Sequence, residues 1–365
     1  MGVVIGAWIA IHAQEQAPAG AAPALVARWI DRTPAKNTPQ PKGSEDASLI
    51  YDPVAGRVLL YGGKDDANLS VNETWAFDSS ERAWKRITTT GKTPPASEDH
   101  TTIYDPGAHR MIMYGGENGP TTNKLWSLDL KTSAWKELAN QQAPRRESHT
   151  AIYDSRAKRM VVFGGLDRTR EDLYDVWAMD LDPASKTYEK WQDISVPEGR
   201  APGRIDHVAI YDPVKNRMVF HGGWMKTRQG LLGDTWAFYF GETADAPGRW
   251  QKIESATAPP PRRHADGIHD PDRNLFILFG GQGRTSTPLN DVWALDLTRD
   301  EWMNITPSGP GPVARIDHQV IYDLKSHSVL LYGGDSMAVD APKLHDVWEL
   351  ALPPVSSLSS TRGVQ

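Results

Sequence analysis

Six stretches of the chain share one pattern: a polar or charged start, a block of apolar and aromatic positions, then two glycines. They read GRVLLYGG (56–63), HRMIMYGG (109–116), KRMVVFGG (158–165), NRMVFHGG (216–223), NLFILFGG (274–281) and HSVLLYGG (327–334). Successive spacings are 53, 49, 58, 58 and 53 residues. A period near 50 residues marks an array of repeated supersecondary units. Ten residues before each first glycine stands Asp52, Asp105, Asp154, Asp212, Asp270 or Asp323. After a variable loop comes Trp75, Trp126, Trp177, Trp236, Trp293 or Trp348, and in five units a second Trp follows nine or fourteen residues later.

Each unit predicts four short strands. In the third, HTAIYD (149–154) is strand a, RMVVF is strand b, VWAMDL is strand c and YEKWQDI is strand d. Apolar, aromatic and β-branched runs bounded by Gly, Pro and Asp support strands, and no segment keeps a helical period. The sixth unit lacks a second Trp, while ARWID near the front has the strand-d pattern, with Trp29 in period with Trp84 at a spacing of 55. The N-terminal strand is therefore expected to complete the last unit, which leaves no open end.

A strand ending in Gly-Gly, followed by spaced aromatics on the next two strands, resembles the kelch family, over residues 25 to about 353. The resemblance implies an all-β, six-bladed β-propeller of the galactose-oxidase-central-domain type, closed by the strand around Trp29. The domain expectation is a signal peptide and linker over 1–24, one propeller over 25–353, and a disordered tail over 354–365. The aromatic pattern departs from the familiar Tyr-then-Trp form, since most units here carry Trp twice.

Composition narrows the chemistry. With 365 residues and no cysteine, disulfides, thiolate metal sites and a cysteine nucleophile are excluded. That also rules out the Cys–Tyr copper cofactor of galactose oxidase. The net charge of −6 argues against nucleic acid. Val3 to Ile11 is a nine-residue apolar run, too short to span a bilayer and suited to a secretory signal. An exported, periplasmic or extracellular protein with no membrane span in the mature chain is the expectation. No helix or Lys-Ser/Thr pair follows the glycines, so they are no phosphate loop.

Candidate chemistry lies on the face that carries the d-to-a and b-to-c loops, since antiparallel strands alternate. The opposite turns, such as DPVAGR and DSRAKR, read as scaffold, because turn Asp bonds nearby backbone N–H groups. On the d-to-a loops, Arg146, Arg204, Arg262 and Arg315 stand at one repeated place, and units one and two have Ser44 and Ser97 there. Two residues on stand Asp46, Asp99, Ser148, Asp206, His264 and Asp317. The following place holds Ala47, His100, His149, His207, Ala265 and His318. Two readings stand. The set is repeated blade chemistry that caps strand a and ties neighbours. Alternatively, the arginines form a basic crescent for a carboxylate or phosphate, which Arg recognises with a planar fork. Trp224, after the fourth Gly-Gly, is a further candidate as a stacking surface.

Four equivalent histidines on different blades ring a channel instead of converging, so no metal and no cofactor are expected. Glu171 and Asp175 match two places of the iron motif of plant specifier proteins, but the third is Met179. The resemblance also covers exported kelch sialic-acid mutarotases. The expected function is a ligand- or protein-binding propeller for an anionic, glycan or peptide ligand at the channel mouth. The alternative is a carbohydrate-active enzyme, an epimerase/mutarotase or lyase, at the same mouth. The ligand-binding candidates are Arg146, Arg204, Arg262, Arg315, Asp99, Asp206, Asp317, His100, His207, His318 and Trp224.

Overall fold

The computed structural model describes residues 25–117, 121–139, 143–169, 171–243 and 246–354. The expected leader over 1–24 and all but the first residue of the expected tail lie outside them. Six blades follow in chain order, each with antiparallel strands a to d from the inside out, and Thr90–Gly91 adds a short parallel strand to the outer edge of blade 2. In blade 3 these are Thr150–Asp154, Arg159–Phe163, Val176–Asp180 and Trp191–Asp193. The a strands touch one another in sequence and the sixth touches the first, so the ring is closed. Arg28–Asp31 pairs antiparallel with Val347–Ala351 as the outer strand of blade 6, with Trp29 opposite Leu350. The Trp29 ring packs edge-on against Phe279 at 5.3 Å.

Strand b reads as an unbroken apolar run because both of its faces are buried. In blade 3, Met160 and Val162 pack with blade 2, while Val161 and Phe163 pack with blade 4. Each of the six hydrophobic clusters joins two adjacent blades in this way. The core is thus a ring of interfaces. A one-residue slip in any strand would send its apolar set to the wrong neighbour.

The turns on the short-loop side are scaffold, as their composition suggests. Asp154 Oδ1 accepts the backbone N–H groups of Arg156 and Ala157, and its Oδ2 accepts Arg159 Nε at 2.8 Å. Asp105 with Arg110 and Asp212 with Arg217 repeat the arrangement.

At the other end of strand b the glycines let the next blade approach. Gly115 has φ +70°, and a Cβ there would stand 2.6 Å from the Arg146 carbonyl oxygen and 2.7 Å from His149 Cε1. The histidine ring fills this gap edge-on to Tyr114, at 5.3 Å. His100 meets Tyr61, His207 meets Phe163 and His318 meets Phe279 in the same manner. His149 Nε2 shares a 2.9 Å hydrogen bond with Thr101 Oγ1, and His207 Nε2 a 2.8 Å bond with Thr150 Oγ1. Burial depresses every one of these imidazoles. His100 falls to about 4, His318 and the strand-b His221 to about 3, and His149 and His207 well below the usual range.

The four arginines do not form an open crescent. Arg146, Arg204 and Arg315 are 0% exposed and Arg262 is 1% exposed. Each guanidinium reaches across its own blade to an Asp two residues before the strand-c Trp. Arg204 Nη1 and Nη2 meet Asp234 at 2.8 and 3.2 Å, while Nη1 also donates to the Gly222 carbonyl at 2.9 Å. Arg262 holds Asp291 and Gly280, Arg315 holds Asp346 and Gly333, and Arg146 holds Asp175 and Gly164. The same carboxylate accepts the indole N–H, at 2.7 Å from Trp236, Trp293 and Trp348. Burial alone would raise Asp234, Asp291 and Asp346, but the arginine and the indole hold them below the ordinary carboxylate range.

Removing one partner of such a pair leaves the other charge unmatched. Arg204→Ala is expected to cost about 3 kcal/mol, read by urea unfolding, with part of the loss recovered when Asp234→Leu is added. The buried histidines set the acid limb of stability. The unfolded chain binds protons near the ordinary imidazole value and the folded chain does not. Stability therefore falls as pH drops from about 6.5 towards 4, at about 1.4 kcal/mol per histidine per pH unit. His207→Gln should flatten that slope by one proton in unfolding curves taken at several pH values, and an unaltered slope would refute the neutral assignment.

Candidate functional site

The a strands line a central channel. Its long-loop end opens into a cavity of about 250 Å³, with Asp46, Asp99, Ser148, Asp206, His264 and Asp317 at the rim. The other end, about 380 Å³, is walled by Tyr51, Tyr104, Tyr153, Tyr211 and His269. All six rim residues have φ of 52–55°. Asp and His tolerate this left-handed conformation better than most residues. It turns each backbone so that the Ser148 N–H donates to Asp99 O, Asp206 to Ser148, His264 to Asp206, Asp317 to His264 and Asp46 to Asp317, at 3.1–3.2 Å. An arc of five main-chain hydrogen bonds thus runs from Asp99 round to Asp46, and the side chains lean over the lumen.

Those side chains are not equivalent. Lys64 Nζ lies 2.9 Å from Asp46 and 3.1 Å from Glu98. His264 Nδ1 lies 2.6 Å from Asp317, and its Nε2 lies 3.4 Å from Asp206. Burial would lower the His264 imidazole, but the flanking carboxylates outweigh it and raise it to about 10. Burial and the nearby Asp46 raise Asp317 to about 7, against the pull of His264. Burial, then Asp46 and Asp206, push Asp99 well above the carboxylate range. Two residues deeper, Asp266 stands where the other blades have Ser48, Thr101, Thr150, Val208 and Gln319. It accepts the Val320 N–H at 2.7 Å and the Gly267 N–H at 2.8 Å, and burial raises it to about 7.

The structure brings Asp99, Asp206 and Asp317 together at the mouth. It places His100, His207 and His318 between blades, and the four arginines inside them. Trp224 is half-buried one layer outside the rim, beneath the Arg263 guanidinium at 5.0 Å from its ring centre. Arg263 also donates to Gln282 Oε1 at 2.9 Å and lies 3.9 Å from Asp206. Lys64, Arg263, His264 and Asp266 complete the mouth. Their signal in the sequence was departure from the repeat, most plainly a histidine at a place otherwise held by Asp or Ser.

Ligand atoms of Glu45, Asp46 and Asp317 lie within 4.8 Å of one another, a spacing that suits a cation. The chain supplies its own cations here: Lys343 to Glu45, Lys64 to Asp46 and His264 to Asp317. A metal would have to displace all three. Exposed apolar side chains of this face are Leu69, Tyr174, Met337 and Val339 on b-to-c loops and Val313 on the d-to-a loop of blade 6. The blade 3 and blade 4 loops are joined, since Asp172 accepts the Lys226 and Thr227 N–H groups.

Among the described residues no helix is long and apolar enough to cross a membrane. The KLHDC2/KLHL20/DRC7 Kelch-repeats domain matches residues 26–145 and 108–334. Adagio-like protein 1 of Oryza sativa subsp. japonica is 29% identical over 272 residues, covering 69% of this chain and 41% of that protein. An F-box/kelch-repeat protein of Arabidopsis thaliana is 30% identical over 172 residues, covering 45% of this chain and 34% of that protein. The chain thus spans less than half the length of these curated relatives. The solved structure of YjhT superposes with a TM-score of 0.64 at 13% identity, covering 87% of this chain and 99% of that one, a likeness of fold. The repeated strand ending in Gly-Gly, the six closed blades and the domain match together establish that the chain belongs to the kelch-repeat family.

Proposed function

We propose that the chain is a protein-binding propeller that receives a partner segment on its long-loop face, over the channel mouth. Kelch propellers are in general protein-binding modules. The observation that carries the reading here is the composition of that face. An uneven, mainly acidic mouth is surrounded by loop tips that expose Leu69, Tyr174, Met337 and Val339 to 63%, 47%, 43% and 91%. Apolar tips around a charged centre give a partner both contact area and orientation. With the guanidinium groups of Arg146, Arg204, Arg262 and Arg315 buried, the anionic ligand expected from the sequence lacks its recognition groups. A basic segment suits the mouth instead.

A second reading, a carbohydrate-active enzyme at the same mouth, is favoured by one observation. His264 is held between two carboxylates at the lumen, and Trp224 with Arg263 stands beside it. Such an imidazole is placed for proton transfer.

Panning a random peptide library on the immobilised propeller separates the faces. Selected peptides should lose at least about tenfold in affinity for a Tyr174→Ser, Val339→Asp variant. They should keep it for Val54→Asp, Val214→Asp, which alters exposed valines of the short-turn face. The reverse pattern refutes the proposal. Turnover of reducing sugars or uronate polymers that His264→Gln abolishes would establish the second reading. Turnover that survives this change would remove His264 from it, and on the first reading no turnover is expected.

A further inference from the structure

Acidic residues around the mouth do not by themselves indicate a ligand, because the left-handed backbone there already favours Asp. The carboxylates differ, however, in what answers them. Asp46 and Glu98 share Lys64, Asp317 takes His264, and Asp206 faces His264 and Arg263. Glu45 takes Lys343. Among the described residues neither a hydrogen bond nor an ion pair reaches the Asp99 carboxylate, which feels Lys64 from farther off. Its side chain lines the 250 Å³ cavity, enclosed by protein on every side but the lumen.

A second polar group of the same strand also lacks a partner. Thr102, three residues deeper, lines the lumen, and its Oγ1 has no hydrogen-bond partner. The equivalent positions in the other blades are Leu49, Ala151, Ala209, Gly267 and Val320, all apolar. Among the described residues blade 2 therefore offers the lumen one carboxyl that nothing answers, Asp99, while the Thr102 hydroxyl beneath it is closed off from solvent. Carboxylates that demand a donor and find none in the fold are matched by a donor from outside.

The shape of the site selects among cations. Asp46, Asp99, Asp206 and Asp317 belong to four blades and approach the lumen from different directions. An ammonium group directs three N–H bonds to separate acceptors, whereas a guanidinium wants acceptors in one plane.

We propose that the mouth takes the primary ammonium of a lysine side chain carried by the partner segment, bound beside Asp99. The inference rests on the protein-binding reading of the long-loop face and names the group that enters it. Lys64 and His264 then serve to hold the neighbouring carboxylates, which leaves Asp99 free for the incoming charge.

The test is calorimetric titration, at low ionic strength and pH 8, with acetyl-Gly-Ala-Lys-Ala-Gly-amide as the probe. Its Nε-acetyl-lysine and arginine counterparts are compared. Asp99→Asn keeps the shape and the left-handed backbone. Asp340→Asn, at an exposed position on a loop of the same face, removes an equal charge elsewhere. Saturable binding of the lysine peptide should weaken at least about tenfold on acetylation and again in Asp99→Asn. It should stay within about twofold in Asp340→Asn and be weaker for the arginine peptide. Equal effects of the two Asp→Asn changes, indifference to acetylation, or no saturable binding to the wild type would each overturn the inference. If library peptides bind the long-loop face without regard to lysine, the inference falls and the protein-binding reading stands. If they do not depend on that face, both fall.

Discussion

The Arg204 guanidinium is shut away from water and held by a carboxylate, a glycine carbonyl and a proline carbonyl. Three parts of a blade meet there: the entry to strand a, the end of strand b and the start of strand c. A charge with no solvent can persist only where its acceptors are fixed, so the clamp dictates where each loop leaves the sheet. The glycine after strand b must present its carbonyl, and the Asp before strand c must point inward with the indole behind it. Blades 3 to 6 obey this constraint. Blades 1 and 2 relax it, with Ser44 and Ser97 in the arginine place and Glu73 and Lys124 opposite. In blade 1, Glu73 still accepts the Trp75 indole at 3.0 Å.

This contrast explains what could be read from the chain. The strands, the six units and the closing strand around Trp29 were legible because both faces of each strand are buried and the period is regular. The role of the arginines was legible too, but only by comparing units. Arg and the Asp two residues before Trp occur together in four units and are both missing from the other two. Correlated loss across internal repeats is the signature of a contact. Taken alone, an arginine in a variable loop looks available for a ligand. The histidines follow the same logic. Each stands after a blade whose strand b ends in Tyr or Phe, and the blade after His221 carries Ala265 instead; Ala47, which follows Tyr332 across the seam, departs from this pattern.

What no repeat could supply is the electrostatics of the mouth. The six rim positions share one backbone conformation, and five main-chain hydrogen bonds link them, but their side chains differ. Whether a carboxylate at the lumen is answered depends on Lys64 and Arg263, which arrive from other loops, and on distances of an ångström or so. Asp99 and Asp206 occupy the same place in the repeat, yet among the described residues only Asp206 has charged partners within reach. The scaffold supplies six nearly identical positions, and the loops individualise them.

The closing strand has a consequence in time. Arg28–Asp31 is made first and pairs with Val347–Ala351, made more than 300 residues later. Five blades can assemble as they emerge, but the sixth cannot, and until then the early strand has exposed hydrogen-bonding edges and an unburied tryptophan. Ribosomal synthesis thus leaves this segment waiting while the intervening blades are made. A chain cut short anywhere before strand c of blade 6 would keep that strand unpaired, and the ring would fail at its seam before it failed in any blade.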